Sequence, residues 1–219
     1  MKKRVGILIS GRGSNMAALI EAARAPDYPA EIVLVISNRP DAAGLERARA
    51  AGIEAVVIDH KGFASREAFD GAVEEALLGH GVDLVCHAGF MRIQSEAFAA
   101  RWTGRQLNIH PSLLPSFRGL KPQQQALDAG VRISGCTVHF VTPELDAGPI
   151  VAQAAVPVLA GETADTLAER ILTAEHRLYP LALRLVAGGE ANLQDGKVVL
   201  QAAINPLVRL LSPPESAVS

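Results

Sequence analysis

Short hydrophobic runs alternate with amphipathic stretches along the first half of the chain. The hydrophobic runs contain many β-branched residues and predict strands at 5–9, 31–37, 54–58, 83–88 and 106–110. The alanine-rich stretches between them predict helices at 16–25, 42–51, 65–78 and 95–102. Such an alternation is typical of βαβ units, so we expect an α/β fold with a mostly parallel, doubly wound sheet. Sheets of this kind bind ligands beyond the carboxyl ends of their strands.

The pattern changes after residue 110. A loop with several prolines covers 111–122, and hydrophobic runs predict two more strands at 133–141 and 150–158. A long helix is predicted at 162–189, with a kink at Pro180. One face of this helix is expected to carry an apolar stripe formed by Leu167, Ile171, Leu178, Leu181 and Leu185. Asp195–Gly196 predicts a hairpin turn, and the tail 212–219 is expected to be loose.

Length, composition and charge restrict the class of protein. The 219 residues, 49% of them hydrophobic, suffice for one sizeable core, so we expect residues 1–219 to form a single domain with two lobes. A formal net charge of −2 and the lack of a basic stripe argue against a nucleic-acid partner. No apolar run approaches the ~18 residues that a membrane span needs, and the N-terminal run lacks a cleavage site. A soluble, cytoplasmic protein is therefore expected.

The two cysteines, Cys86 and Cys136, lie within apolar segments. This placement favours two buried thiols over a disulfide or a catalytic thiol. Because the chain offers no further cysteine, a zinc site built from cysteines is excluded.

The first predicted strand leads directly into a glycine-rich turn, Ser10–Asn15, which precedes a helix. Glycines at such a turn let backbone N–H groups approach an anion, and the start of the helix adds a positive potential. The turn is therefore a candidate phosphate site, although a tight turn that only connects two elements is an equal alternative. It is not a complete dinucleotide-binding fingerprint, because Met16 occupies the sixth position, and it lacks the lysine of a P-loop.

Three polar residues suggest acyl-transfer chemistry. Asn108 and His110 lie two residues apart at the end of the fifth predicted strand, so their side chains share one face of it. An amide and an imidazole that converge in this way can stabilise the oxyanion that forms when a carbonyl carbon is attacked. Asp146, held in a turn by Gly148 and Pro149, is the candidate acidic partner, with an ordinary turn aspartate as the alternative.

Motifs along nearly the whole chain resemble those of the phosphoribosylglycinamide formyltransferase family of purine biosynthesis. They occur in the family's order: ISGRGSN, SNRPDAAGLERARAAGI, SREAFD, HAGFMRI, LNIHPSLLPSF, GCTVHFVTPELDAGPI and TAEHRLYP. The resemblance implies a Rossmann-like formyltransferase fold. It also implies transfer of the formyl group of 10-formyltetrahydrofolate, the co-substrate, to the amine of phosphoribosylglycinamide, without a metal. The expected partners are these small molecules, and the expected oligomeric state is a monomer or weak homodimer.

The resemblance also implies roles for individual residues. The catalytic set would be Asn108, His110 and Asp146. The acceptor, phosphoribosylglycinamide, would contact Gly13, Ser14, Asn15 and Glu175, the last of which lies at the edge of the long helix's apolar stripe. The folate site would be lined by Arg66, Met91, Arg92, Ile93, Gln94, Asn108, Thr142, Pro143, Glu144, Leu145 and Asp146. Residues 1–108 would thus form the half that binds the acceptor phosphate, and residues 109–190 the half that binds folate.

One segment departs from the family's pattern. Members commonly carry histidines shortly after the SLLP motif, whereas this chain has the sequence RGLKPQQQ at 118–125. The departure removes any role that those histidines would have, and leaves Asn108, His110 and Asp146 intact.

Four other functions fit the sequence less well than this one. Methionyl-tRNA formyltransferase shares the transfer core but would need an additional basic domain. Formyltetrahydrofolate hydrolase shares the HPSLLP region but has no use for a phosphate site. A non-catalytic folate- or nucleotide-binding module would have little need of all three catalytic residues. A nicotinamide-dependent oxidoreductase is disfavoured by the incomplete fingerprint at Met16.

Overall fold

The computed structural model describes residues 1–201 and contains the predicted alternation of strands and helices. The strands are β1 (Lys3–Ile9), β2 (Ala30–Ser37), β3 (Glu54–Val57), β4 (Leu84–His87), β5 (Gln106–His110), β6 (Ile133–Phe140), β7 (Ile150–Pro157), β8 (Ala191–Gln194) and β9 (Lys197–Leu200). The α-helices are α1 (Ser14–Ala23), α2 (Gly44–Ala50), α3 (Arg66–Gly79), α4 (Glu96–Arg101), α5 (Pro122–Asp128) and α6 (Ala164–Ala187). The short helix α5 was not predicted.

Seven strands form one sheet in the order β3-β2-β1-β4-β5-β6-β7. The first five of these strands are parallel to one another, whereas β6 runs antiparallel to both β5 and β7. The prediction of a mostly parallel α/β sheet is confirmed. Because the chain winds outward in both directions from the β1–β4 pair, a crevice is expected where the ends of these two strands diverge.

Two hydrophobic cores cover the two faces of the sheet. On one face, α1, α2 and α6 pack against residues such as Val5, Ile7 and Val138. On the other face, α3 and α4 supply Phe69, Phe98 and Trp102. Both cysteines are free and buried, so the prediction of two buried thiols is confirmed.

Helix α6 begins with a capping box at Thr163 and Thr166 and continues through Pro180. Leu167, Ile171 and Leu178 are buried as predicted, but the prediction for Leu181 is wrong, because 49% of it is exposed. The residues that replace it in the buried face are Tyr179, Ala182 and Leu183. The buried arc is therefore broader than the leucine stripe and displaced from it, so that Leu181 lies beyond its border.

The C-terminal hairpin β8–β9 has its turn at Asp195 and Gly196, as predicted, and both residues have positive φ angles. The tail 212–219 lies outside the described residues.

Candidate active site

Hydrogen bonds connect the loop that follows β1 with the loop that follows β4, at the crevice beyond these two strands. The Ser10 backbone N–H donates to the Gly89 carbonyl at 3.1 Å, and the Met91 N–H donates to Ser10 Oγ at 2.8 Å. Ser10 Oγ in turn donates to Asn38 Oδ1 at 2.6 Å, which adds the end of β2. Polar side chains and backbone groups that follow three parallel strands thus meet at one edge of the sheet, as the doubly wound topology requires.

A cavity of about 530 Å³ opens at this edge. Gly13, Ser14 and Asn15, the predicted phosphate-binding residues, all belong to its lining. The remaining lining residues are Ser10, Gly11, Arg12, Asn38, Arg39, His60, Ala88, Gly89, Met91 and Arg92. Sequence reasoning missed the contribution of Arg12, Asn38, Arg39 and His60, although Arg12 stands inside the glycine-rich turn. Arg12 and Arg92 give the cavity a positive charge that suits an anionic ligand, whereas the charge of Arg39 is balanced by its ion pair with Asp41 at 2.7 Å.

Gly13 is needed by the fold as well as by any ligand. Its φ angle is 70°, in the left-handed region, and it caps the start of α1. A Cβ atom at this position would lie 3.0 Å from the Gly44 Cα atom and 3.0 Å from the Met16 Cε atom. A side chain at Gly13 would therefore strain the backbone before it affected a ligand.

Glu175 reaches the same cavity region from α6. Its carboxylate accepts a 2.7 Å hydrogen bond from Asn15 Nδ2, and both residues are buried. Burial raises the pKa of Glu175, and the hydrogen bond from Asn15 opposes that rise. Glu175 lies within the buried face of α6, not at its edge as predicted. The Asn15 Oδ1 atom is buried without a hydrogen-bond partner among the described residues, so a polar ligand would complete this pair.

The three predicted catalytic residues converge one strand away from the cavity. Asn108 lies on β5 opposite His87 of β4. Leu107 and Ile109 pack in the core on the other face of the strand, which confirms the predicted alternation of polar and apolar side chains along β5. His110 Nδ1 lies 3.3 Å from Asp146 Oδ2, and His110 Nε2 lies 2.9 Å from the Phe117 carbonyl oxygen. Both ring nitrogens of His110 therefore face oxygen acceptors; the neutral ring can donate to one of them, and the imidazolium to both.

The main chain around Asp146 holds its carboxylate in place. The Gly119 N–H donates to Asp146 Oδ2 at 3.0 Å, and the φ angle of Asp146 is 49°. Two residues later, Gly148 packs so closely on β6 that an added Cβ atom would lie 1.7 Å from the Phe140 carbonyl oxygen. Asp146 is therefore a positioned residue of the site, and its placement depends on backbone that only glycine permits at position 148.

His139 is a fourth polar residue of this cluster, which sequence reasoning missed. Its Nε2 atom lies 3.2 Å from Asn108 Nδ2 and 3.8 Å from Asp146 Oδ1. Burial lowers its pKa. The only signal in the sequence is its place within the motif GCTVHF, because the antiparallel pairing that brings β6 beside β5 is a tertiary feature.

The predicted folate-binding residues fall into two exposed segments and one separate position. Met91, Arg92 and Ile93 are exposed and Gln94 is half-buried, and all four follow β4. Pro143, Glu144 and Leu145 are exposed and Thr142 is half-buried, on the turn that carries Asp146. Arg66 is exposed in the first turn of α3 and lies outside the lining of the cavity.

The segment that departs from the family's pattern packs against the turn at 142–146. Arg118 forms an ion pair with Glu144 at 2.9 Å, and the Gln125 side chain donates to the Leu120 carbonyl at 2.9 Å. Together with the bond from the Gly119 N–H to Asp146, these contacts give residues 118–125 a supporting role beside Asp146.

Within residues 1–201, no group of three or more His, Cys, Asp or Glu side chains is arranged to hold a metal ion. No helix in that range combines the length and hydrophobicity required to cross a membrane.

Comparison with known proteins identifies the family. The formyl transferase family profile matches residues 3–183. Over 198 residues the chain is 53% identical to the trifunctional purine biosynthetic protein adenosine-3 of Bos taurus, which covers 90% of this chain and 20% of that protein. It is 46% identical to the phosphoribosylglycinamide formyltransferase of Escherichia coli K12, across 86% of this chain and 89% of the relative.

The chain thus spans about a fifth of the trifunctional relatives and most of the bacterial one. Among solved structures, glycinamide ribonucleotide transformylase 1 of Symbiobacterium toebii superposes with a TM-score of 0.88 at 50% identity. The superposition covers 91% of this chain and 94% of that one. Because the match in sequence and fold extends over nearly all described elements, the chain belongs to the phosphoribosylglycinamide formyltransferase family of formyl transferases.

Proposed function

We propose that the protein transfers the formyl group of 10-formyltetrahydrofolate to the amine of phosphoribosylglycinamide, giving formylglycinamide ribonucleotide and tetrahydrofolate. The observation that carries this proposal is the convergence of Asn108, His110 and Asp146 beside the positively charged cavity at the end of β1. One region offers an oxyanion site, and the adjoining region offers room and charge for a sugar phosphate.

The chemistry is a direct transfer between two nitrogen atoms. The acceptor amine attacks the formyl carbon and forms a new N–C bond, while the formyl oxygen acquires negative charge. A side-chain N–H of Asn108 and a ring N–H of His110 stabilise that oxyanion. Collapse of the intermediate breaks the bond to N10 of the folate, and the proton lost by the amine is delivered to that nitrogen.

Asp146 helps to move this proton. Its carboxylate lies 3.3 Å from His110 Nδ1, so it can stabilise a positive charge on the imidazole and relay protons through water. His110 Nε2 is bonded to the Phe117 carbonyl, and a substrate oxygen that replaces this carbonyl would receive the same N–H.

The two substrates occupy different parts of the site in this proposal. The acceptor phosphate lies against the backbone of residues 11–15 and is neutralised by Arg12, while its glycinamide end approaches Glu175. The folate lies against the segments 91–94 and 142–146. Exposed apolar side chains in these segments, with exposures of 74% for Met91, 57% for Ile93 and 53% for Leu145, suit the face of a ring system. The cytoplasmic location, the monomeric or weakly dimeric state and the roles of the two halves stay predictions.

Gly11→Ala is the substitution that tests this arrangement most cleanly. Gly11 lines the cavity, and a Cβ atom at this position has no heavy atom within 4 Å, so the added methyl group does not disturb the fold, unlike a Cβ atom at Gly13. We expect the dissociation constant of phosphoribosylglycinamide to rise about tenfold or more, equivalent to ~1.4 kcal/mol, and that of the folate to stay unchanged. Calorimetric titration of each ligand measures both values.

Gly71→Ala is the matched control, because it adds the same methyl group to an open, exposed position of α3. Equal affinities of both ligands for the wild type and Gly11→Ala would place the phosphate elsewhere. Formylation of phosphoribosylglycinamide is followed in parallel. Release of formate without an acceptor would instead identify a hydrolase, and the transferase proposal would be abandoned.

A further inference from the structure

His139 lies opposite Asn108 in the antiparallel pairing of β5 and β6. It is 2% exposed, and its ring connects the backbone of β6 to the side chain of Asn108. On one side, Nδ1 lies 2.9 Å from the Phe140 carbonyl oxygen. On the other side, Nε2 lies 3.2 Å from Asn108 Nδ2.

These two contacts determine the proton arrangement of the ring. A carbonyl oxygen only accepts hydrogen bonds, so His139 Nδ1 must carry a proton to bond Phe140. An amide nitrogen only donates, so His139 Nε2 must present a lone pair to bond Asn108. Both bonds exist together only in the neutral ring with its proton on Nδ1.

We propose that neutral His139 is a positioning residue, whose Nε2 lone pair holds the Asn108 amide in the orientation used for oxyanion stabilisation. The inference rests on the proposed function, since it assigns to His139 an effect on that reaction exerted through Asn108. One N–H of Asn108 is bound to His139, and this bond fixes the direction of the second N–H and of Oδ1.

Protonation of His139 would break this arrangement. A proton on Nε2 would point at the Asn108 amide hydrogens, while Asp146 Oδ1 lies 3.8 Å away and can accept it in a hydrogen bond. The new bond would draw His139 towards the carboxylate that His110 also faces, and the Asn108 amide would turn over or move away. One proton would thereby disturb two of the three catalytic residues.

The charged and titratable groups around His139 favour the neutral ring. Burial is the largest cause and lowers its pKa, and the positive charges of His110 and Arg118 act in the same direction. The bond to the Phe140 carbonyl and the carboxylate of Asp146 oppose them. His87, on β4, is a further neighbour whose charge couples to that of His139. The pKa of His139 thus lies below the ordinary value of about 6.5. Its Nε2 atom therefore accepts a hydrogen bond from the Asn108 amide at neutral pH and loses this ability when it is protonated in acid.

Substitution of His139 tests the proposal through the pH profile of kcat. Gln can place an acceptor oxygen near the position of Nε2 without titrating, whereas Leu removes the acceptor. We expect His139→Leu to lower kcat about tenfold or more with little change in either KM, because a misoriented oxyanion donor loses part of its usual 10²- to 10³-fold effect. We expect His139→Gln to retain kcat within about threefold and to lose the part of the acid limb that His139 contributes. His80→Gln, which changes a histidine at the end of α3, is the control and should match the wild type.

An NMR measurement tests the same proposal without substrate. Long-range proton–nitrogen correlation in histidine-labelled protein distinguishes a ring with the proton on Nδ1 from one with the proton on Nε2, and we expect the Nδ1 form for His139 at neutral pH. Finding the Nε2 form would overturn the proposal, as would a His139→Leu variant with the kcat of the wild type. If His139→Leu does not fold, the labelled wild type and the pH profile of His139→Gln decide the question. Absence of formyl transfer in the wild type would refute the proposed function and leave the measured tautomer as a separate result.

Discussion

A single carboxylate organises the proposed catalytic residues. Asp146 accepts a hydrogen bond from the Gly119 N–H, faces His110 Nδ1 at 3.3 Å, and lies 3.8 Å from His139 Nε2. The backbone N–H is a fixed donor, so it sets the position of the carboxylate whatever the protonation of the two rings. The imidazole of His110, which is proposed to act on the substrate, is then oriented by a group that cannot easily rotate away.

At this scale we predict that His110→Ala will lower turnover by about 10² or more while leaving folate affinity largely unchanged. The substitution removes both an oxyanion donor and a proton-transfer group, and either loss typically has such an effect. Steady-state kinetics and calorimetric titration of the folate measure the two quantities. Asn108→Ala should behave similarly, and His80→Ala is the surface control. Turnover within a few-fold of the wild type would remove His110 from the mechanism.

At the scale of elements, the site depends on the change from parallel to antiparallel pairing at β5. The parallel strand β4 places the loop 88–94 on one side of Asn108, and the antiparallel strand β6 places His139 on the other. The turn from β6 to β7 then returns Asp146 to the end of β5. The close approach of Gly148 to the Phe140 carbonyl, and the 2.9 Å bond from the Phe140 N–H to the Pro149 carbonyl, hold this turn against β6.

We therefore predict that Gly148→Ala will be damaging although residue 148 has no chemical role. The added methyl group would overlap the Phe140 carbonyl, and relief of this clash must move the turn that carries Asp146. The expected loss is about 2 kcal/mol or more in the free energy of unfolding, together with a loss of turnover. Urea denaturation and kinetics measure these. Gly71→Ala again serves as the control, and unchanged stability in Gly148→Ala would show that the turn can relax freely.

At the scale of the whole molecule, several ionisable groups are buried between the sheet and its helices. Burial lowers the pKa of His87 to about 4 and also lowers the pKa values of His139 and His176. Burial raises the pKa of Glu175. In acid, protonation of the histidines places positive charges in the interior and destabilises the folded protein. Protonation of Glu175 instead removes a buried negative charge and stabilises it. The two kinds of group therefore have opposite effects on stability as the pH falls.

The sign for His87 follows from proton linkage. The folded protein binds fewer protons than the unfolded chain between the ordinary pKa of about 6.5 and the folded pKa of about 4. Stability is therefore fully present above pH ~6.5 and falls as the pH decreases towards 4, by up to about 3 kcal/mol from this residue.

We predict that His87→Leu will flatten this acid-side decline. Urea denaturation at several pH values from 7 to 4 measures this decline. The quantity compared is the slope of the unfolding free energy against pH, not the free energy at any one pH. His80→Leu is a comparison of opposite sign. Hydrogen bonding to the Ala76 carbonyl and to Glu54 raises the pKa of His80, so His80 contributes stability at low pH that is lost as the pH rises. An equal slope in the wild type and His87→Leu would contradict the buried, neutral state of His87.

The sequence alone determined the order of the larger elements and most of the proposed catalytic set. Alternating β-branched and alanine-rich runs are local patterns, so they located the strands β1 to β7 and the helices α1 to α4 and α6, with ends displaced by no more than two residues. Asn108 and His110 were recognisable because two residues of one strand share a face whatever the strand packs against.

Tertiary structure decided everything that depends on neighbours in space. It revealed His139, because the pairing of β5 with β6 joins residues 31 positions apart. It added Arg12 and the ends of β2 and β3 to the cavity, and it exposed Leu181 while it buried Glu175, because the helices packed against α6 set which arc of it is covered. Periodicity specifies that a helix has an apolar face, but the partners that cover this face fix its width and direction, and those partners come from distant parts of the chain.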